Sequence, residues 1–322
     1  MADHLVLIDG HHLMYRAYWA IPRTLTTKAG EQVNAVFGVA SMVLTILRQE
    51  QPTHFLFCFD AGEETFRHAE AVDYKEGRAE TPDDFYVQIP RILELVDAGG
   101  WQQVSEPKYE ADDFLCTYAK AGEAAGMKVT IVTGDRDALQ LATAATRIAI
   151  PHKGYQAAEY LGPEEILAKY GVRPDQVAAY KGLIGDSSDN LRGVKGIGPK
   201  TAADLLQKYD TLESLYEHLD EVRPAVRAKL EADRESAFFC QRMARLVSDI
   251  PLPHSLDQLR LADIDPTRLE TLFAALEFKV LTRRLEELLT TPYGQSVFQP
   301  SHTTKPIQKP SSPDSQLSLF AE

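Results

Sequence analysis

Hydrophobic positions along the chain follow two patterns. Short continuous apolar runs, Leu5-Val6-Leu7-Ile8, Phe55-Leu56-Phe57-Cys58-Phe59 and Val129-Thr130-Ile131-Val132, are rich in β-branched and aromatic residues. Such runs predict strands buried on both faces of a parallel sheet. Helix-like segments lie between them. One is short, around Leu13 to Tyr18, and a longer periodic one runs from Asn34 through Leu47. Pro82-Asp83-Asp84 opens a third, to about Val96, by first-turn chemistry, with a kink expected at Pro90. A fourth covers about Tyr109 to Ala125, behind Pro107. Strand alternating with helix predicts a doubly wound α/β fold. From about Pro163 to about Leu289 the pattern is helical, punctuated by Gly and Pro. The last 33 residues hold five prolines with many Ser, Thr and Gln, and predict a disordered tail.

Each of the three apolar runs leads into an aspartate: Asp9, Asp60 and Asp135. In parallel sheets ligands bind beyond the carboxyl ends of the strands, so these carboxylates are expected on one rim. Their mutual repulsion calls for an offsetting charge, most simply a divalent cation. Asp137 lies two residues past Asp135, on the same side if the chain stays extended. Glu110, Asp112 and Asp113 occupy a helix first turn, with Glu110 and Asp113 on one face. Asp186 and Asp189 form a similar pair in Gly185-Asp186-Ser187-Ser188-Asp189-Asn190. Taken singly, each acid reads as well as a helix cap or a turn residue. Together they exceed the needs of one ion. An all-oxygen donor set favours Mg²⁺ or Mn²⁺ over zinc, and a two-metal site hydrolyses phosphodiesters by activating water and stabilising both in-line oxygens. His11 and His12 read as structural, since imidazole is a poor companion for hard oxygen ligands.

Charge and composition refine this picture. A net charge of −13 argues against nucleic acid as a partner, but these nine acids account for most of the excess. Local charge therefore matters more. Between Arg192 and Lys208 there are four basic residues and a single acid, Asp204. Within that stretch Gly193-Val194-Lys195-Gly196-Ile197-Gly198-Pro199-Lys200-Thr201-Ala202 has glycines that bring backbone N–H groups to an anion, flanking lysines, and a helix N-terminus behind. It reads as a hairpin gripping a DNA backbone without reading bases; a plain helix–helix turn is the alternative. No run is long enough to span a bilayer. Cys58, Cys116 and Cys240 are too scattered for a disulfide framework or a zinc site and fit a reducing cytoplasm.

The chain resembles the bacterial and phage 5′-nucleases, the flap endonuclease family that includes the 5′→3′ exonuclease domain of DNA polymerase I. The matching stretches are Asp9-Gly10-His11-His12-Leu13, Phe59-Asp60, Tyr74-Lys75-Glu76-Gly77-Arg78, Tyr109-Glu110-Ala111-Asp112-Asp113, Thr133-Gly134-Asp135-Arg136-Asp137, Gly185 to Asn190, and Gly193 to Ala202. The resemblance implies a PIN-like α/β nuclease core with a mainly parallel sheet over residues 1–185, and a helical arch at about 61–84 for a single-stranded 5′ flap. A helical DNA-binding region at 186–290, with a helix-three-turn-helix, and a tail at 291–322 follow. It implies one metal set on Asp9, Asp60, Glu110, Asp112 and Asp113, and a second on Asp135, Asp137, Asp186 and Asp189. Lys75 and Arg78 match residues at the scissile phosphate, Tyr74 an aromatic that stacks on a base, and Arg16 a basic residue lining the site. Arg192, Lys195, Gly196, Gly198, Lys200 and Thr201 match the duplex grip, which often holds K⁺. The arch segment carries eight acids against three basic residues, so bulk charge does not drive threading.

No polymerase segment follows, so either a free-standing nuclease or a fragment with its tail included is expected, a monomer of the cytoplasm at the nucleoid. Gln316-Leu317-Ser318-Leu319-Phe320 resembles the bacterial sliding-clamp binding motif and has no core to serve. The expected substrates are DNA 5′ flaps, nicks and 5′ ends. A PIN-type ribonuclease, or a non-catalytic scaffold tethered to DNA and clamp, are the alternatives.

Overall fold

The computed structural model describes residues 3–62, 65–71, 74–75 and 81–299. Six strands form one sheet in the order β3-β2-β1-β4-β5-β6: β1 His4–Asp9, β2 His54–Cys58, β3 Gln102–Val104, β4 Lys128–Val132, β5 Thr146–His152 and β6 Gly154–Leu161. All neighbours pair in parallel except β5 and β6, which are antiparallel. The three apolar runs are the central strands β2, β1 and β4. β3, β5 and β6 lie outside them and carry mixed polar sequence, and only two of the eight β6 residues are fully buried. Between β1 and β4 the strand order reverses, which is where an open α/β sheet places its ligand crevice.

Helices cover both faces. The first part of the chain contributes α1 Gly10–Ala20, α2 Asn34–Glu50, α3 Phe66–Glu70, α4 Asp83–Tyr86, α5 Ile89–Ala98 and α6 Ala111–Ala124. Alternation along β1 divides its side chains. Val6 and Ile8 join a core with α1, α2 and α5, whereas Leu5 and Leu7 join the core under α6. The segment opened by Pro82 is two helices rather than one kinked helix. Pro90 lies in the first turn of α5, where it lacks no needed donor. The buried Gln88 side chain fills the break, donating to Asn34 Oδ1 and the Asp84 carbonyl and accepting from the Ala35 N–H.

A helical cluster follows: α7 Pro163–Tyr170, α8 Val177–Ile184, α9 Pro199–Tyr209, α10 Leu212–Glu217, α11 Pro224–Ala232 and α12 Arg234–Ala244. Its own core includes Leu183, Leu206, Leu215 and Ala237. The chain then returns to the sheet. α13 Pro266–Ala275, α14 Lys279–Leu289 and α15 Pro292–Val297 pack Leu269, Leu285 and Val297 into the α1, α2 and α5 core. The start of the expected tail is corrected accordingly. Residues 291–299 are ordered by the Thr291 cap, which accepts from the Gly294 N–H, by Pro292 in the first turn, and by burial of Val297 and Phe298. The three cysteines are buried and unpaired.

Candidate metal centre and nucleic-acid interface

Strand ends bring the acids together. Asp9 ends β1 and caps α1: one oxygen accepts from the His12 N–H at 2.9 Å, the other from the Thr133 hydroxyl at 2.7 Å. Burial, with Asp60 and Asp135 adding to it, outweighs those hydrogen bonds and raises the Asp9 carboxyl to about 7. Asp60 lies two residues past β2 and accepts the Ala111 N–H at 2.7 Å, while its own N–H donates to His11 Nδ1 at 3.1 Å. His11 thus holds the backbone of a carboxylate, and burial keeps its ring neutral by lowering its pKa. Asp112 is driven well above the carboxylate range by burial and then by Asp135, Asp9, Asp137 and Asp60. Its electrostatic neighbours therefore come from both groups of acids.

After β4 the chain does not stay extended. Asp135 accepts the Asp137 N–H at 2.8 Å, and Asp137 starts a 3₁₀ turn. Asp186 sits in a tight loop closed by paired bonds to Leu191, both 2.8 Å. Gly185 makes that loop possible: its φ is +81°, and a Cβ there would lie 2.7 Å from the Gly193 nitrogen. Ligand oxygens of Asp137, Asp186 and Asp189 fall within 4.8 Å of one another, and all three residues are buried. No other trio of acid, His or Cys groups comes this close among the described residues. An oxygen-only trio of this compactness fits a hard divalent cation.

Two buried cations, neither singled out in the sequence, meet these acids. Lys181 on α8 contacts Asp137 and lies 2.5 Å from Asp186 Oδ2. Burial opposes its charge, but the carboxylates of Asp137, Asp186 and Asp135 hold its ammonium above the usual range. Arg67 on α3 is only 1% exposed and pairs bidentately with Asp113 at 2.9 Å for both bonds, with Glu110 at 3.3 Å. Glu110 and Asp113 also close a capping box at the start of α6. The sequence signals were a single charge in the apolar run Val177 to Ile184 and, for Arg67, one of only two arginines amid the acidic 61–84 segment.

Of the expected arch residues, Lys75 places its ammonium 3.1 Å from Glu110, and its N–H donates to the Asp189 carbonyl. Tyr74 is buried in a small cluster with Leu191, Cys240 and Met243, its hydroxyl 3.4 Å from Glu110 and 3.5 Å from Asp189. In that position its ring has no face open to a base. Arg16 is half-buried, and its guanidinium donates to the His152 carbonyl. Arg78 lies outside the described residues.

The Gly193 to Ala202 segment links α8 to α9. Arg192, Lys195, Gly196, Gly198 and Lys200 are exposed, Thr201 is half-buried, and Gly198 caps α9. Lys229 of α11 donates to the Gly196 carbonyl at 2.9 Å and adds a third lysine from a distant part of the chain. A surface cavity of about 540 Å³, lined by Arg136, Lys200, Tyr170 and Tyr180 among others, joins α9 to the turn between Asp135 and Asp137.

Family models match this arrangement. The model described as 5'-3' exonuclease, N-terminal resolvase-like domain, covers residues 4–171, and the 5'-3' exonuclease, C-terminal SAM fold, covers 172–267. The chain belongs to the 5′-3′ exonuclease family. It is 41% identical over 284 residues to DNA polymerase I of Bacillus subtilis (strain 168), covering 88% of this chain and 32% of that protein. It is 42% identical over 265 residues to the thermostable DNA polymerase I of Thermus thermophilus, covering 82% and 31%. The chain thus spans about a third of the length of these curated relatives. The fold is similar to T5 5′-exonuclease bound to divalent metal ions (zinc), with a TM-score of 0.62 and 18% identity, covering 89% of this chain and 98% of that one. It is also similar to the catalytic core of Rad2 in complex with DNA substrate, with a TM-score of 0.57 and 18% identity, covering 89% and 92%. Among the described residues no helix is long and apolar enough to cross a membrane.

Proposed function

We propose that this 5′-3′ exonuclease family member is a structure-specific nuclease. It hydrolyses DNA phosphodiesters at 5′ flaps, nicks and 5′ ends with two divalent ions, Mg²⁺ or Mn²⁺. The observation that carries the reading is convergence: Asp9, Asp60, Asp112, Asp135 and Asp137 lie close enough to oppose one another's charge, and Asp137 meets Asp186 and Asp189 in a loop packed against the basic hairpin. Bound ions would supply an activated water and offset charge on the reacting phosphate. Asp9, Asp60, Glu110 and Asp112 would hold one, and Asp135, Asp137, Asp186 and Asp189 the other. Asp113, committed to Arg67 and the capping box, positions Glu110.

Around these acids the chain's own groups bind and orient. Lys75 reaches the rim beside Glu110 and would contact the scissile phosphate, with Arg16 and Arg78 completing the basic side. Tyr74 would stack on a base only after leaving its cluster with Leu191 and Met243. The hairpin, with Arg192, Lys195, Gly196, Gly198, Lys200 and Thr201, would grip the duplex backbone and could seat a K⁺ ion on its carbonyls. Gln316, Leu317, Ser318, Leu319 and Phe320 lie outside the described residues; they would dock on a sliding clamp. The protein would act as a monomer at the nucleoid in the cytoplasm.

A cleavage assay decides among the readings. The full chain is given 5′-flap DNA, the same flap as RNA, and plain duplex, with Mg²⁺ or EDTA. Cutting of flap DNA only with Mg²⁺, and its loss in Asp60→Ala, is expected. Preference for RNA would favour a ribonuclease, and binding without cutting a scaffold.

A further inference from the structure

We infer that Lys181 is an internal counter-ion of the Asp137, Asp186 and Asp189 pocket that competes with a divalent ion and keeps that half of the centre weak. The inference rests on reading those three acids as metal ligands. Its basis is placement. The Lys181 ammonium contacts Asp137 and lies 2.5 Å from Asp186 Oδ2, two members of the one trio compact enough to share an ion among the described residues. An ammonium seated between Asp137 and Asp186 competes with a divalent ion for their negative charge, and two cations within a few ångströms of each other repel.

Lys181 has little room to withdraw through its backbone. Its carbonyl accepts from Cys240 Sγ of α12 at 3.1 Å. At the next residue, Gly182, a Cβ would lie 2.7 Å from the Ala237 carbonyl of the same helix, so α8 is seated tightly on α12. The side chain alone must yield. Asp186 is otherwise satisfied by Ser188, whose N–H donates to Oδ1 at 2.9 Å, so the pocket keeps its shape with the lysine in place. The other acids have a different arrangement. Arg67 neutralises Asp113, and Arg67 and Lys75 flank Glu110 at 3.3 and 3.1 Å at its edge, but among the described residues no lysine or arginine nitrogen comes within 4.0 Å of the Asp9 carboxylate itself. Loading should therefore be unequal. The Asp9 side takes an ion first, and the Lys181 side follows only at higher concentration.

The test measures metal affinity without DNA. The full-length wild type, Lys181→Met, Lys181→Arg and Asp186→Asn are titrated with Mn²⁺ by calorimetry and by the free-ion electron paramagnetic resonance signal. Two events are expected in wild type, the weaker one lost in Asp186→Asn. Lys181→Met should tighten that weaker event at least tenfold, and Lys181→Arg should leave it weak. Thermal unfolding guards against misfolding: Lys181→Met should melt lower than wild type without metal and gain more on adding Mn²⁺. If Lys181→Met shows an Asp186-dependent event no tighter than wild type, the role given to Lys181 is overturned while the ligand reading stands. If neither protein shows an Asp186-dependent event, the ligand reading fails and the inference with it.

Discussion

Arg67 and Asp113 form a bidentate ion pair, each oxygen 2.9 Å from a guanidinium nitrogen, with both side chains closed to solvent. The arginine also donates to the Met243 carbonyl at 3.2 Å, and Asp113 accepts the Val247 N–H at 3.0 Å. One pair therefore ties three segments together: the base of the charged 61–84 stretch, the α6 cap that carries Glu110 and Asp112, and the chain leaving α12.

Removing one partner strands the other. Arg67→Ala should lower stability by about 3–5 kcal/mol, because an uncompensated buried carboxylate remains. Asp113→Asn should act in the same direction. The double variant should lose less than the sum of the two, which a double-mutant cycle by urea unfolding measures. Additive losses would mean the two side chains do not depend on each other.

A second expectation concerns protons at Asp9. Without metal its carboxyl titrates at about 7, chiefly through burial. Because the folded value is raised, its contribution to stability is full below the ordinary aspartate range and is lost as pH rises through about 7. A metal ion needs the ionised form. Binding of Mg²⁺ near pH 6 should therefore release protons, and the metal-induced rise in melting temperature should grow from pH 5.5 to 8. Calorimetry in buffers of different ionisation enthalpy reads the release directly. Asp9→Asn should reduce the release without abolishing it, since burial also raises Asp112 and Asp137, and an unchanged proton count in that variant would assign the release to those acids.

The central sheet and its acids were legible because they rest on local pattern. Continuous apolar runs ending in Asp9, Asp60 and Asp135 become the three adjacent strands β2, β1 and β4. What escaped was the edges and the long-range pairs. β6 is antiparallel and mostly half-buried or exposed, so it lacks the apolar run that marks a buried strand. Arg67 reaches Asp113 across 46 residues, and nothing in the spacing of either residue announces the partner. The Asp135 and Asp137 pair was expected to share a side through an extended chain; it is instead set by a hydrogen bond from the second residue to the first. The start of the tail was misplaced because Val297 and Phe298 are only two apolar residues in a polar run, yet both find a core far back in the sequence.

The C-terminal segment carries a third prediction. Leu317, Leu319 and Phe320 stand in a polar stretch, and each gains roughly 1.5–3 kcal/mol if buried in an apolar pocket, before ordering costs. Deleting residues 314–322 should leave cleavage of short flaps unchanged and remove binding to a bacterial sliding clamp. Calorimetry with the clamp checks this: equal binding by wild type and the deletion, or none by either, would leave those residues as solvated chain.

The hairpin supports the last prediction, and Lys229 sharpens it. Lys195 and Lys200 are exposed on either side of Gly198, whose residue caps α9. The Lys195 N–H donates to Asp233 Oδ2 at 2.8 Å, but among the described residues neither ammonium has a carboxylate oxygen within 4.0 Å, so both are available to phosphates. Lys229 differs, since its ammonium is already bonded to the Gly196 carbonyl at 2.9 Å and braces the turn from within. Each phosphate that is no longer neutralised should lower the salt dependence of duplex binding by about 0.9 in the log–log slope. Lys195→Ala with Lys200→Ala should therefore flatten that slope by about 1.8, equally for unrelated sequences, because backbone recognition carries no base information. Lys229→Met removes a brace and should weaken binding with a smaller change in slope. Fluorescence anisotropy of a labelled duplex over a salt series, in Ca²⁺ to prevent cutting, separates the two roles. A slope unchanged in the double variant would return the hairpin to a purely structural turn.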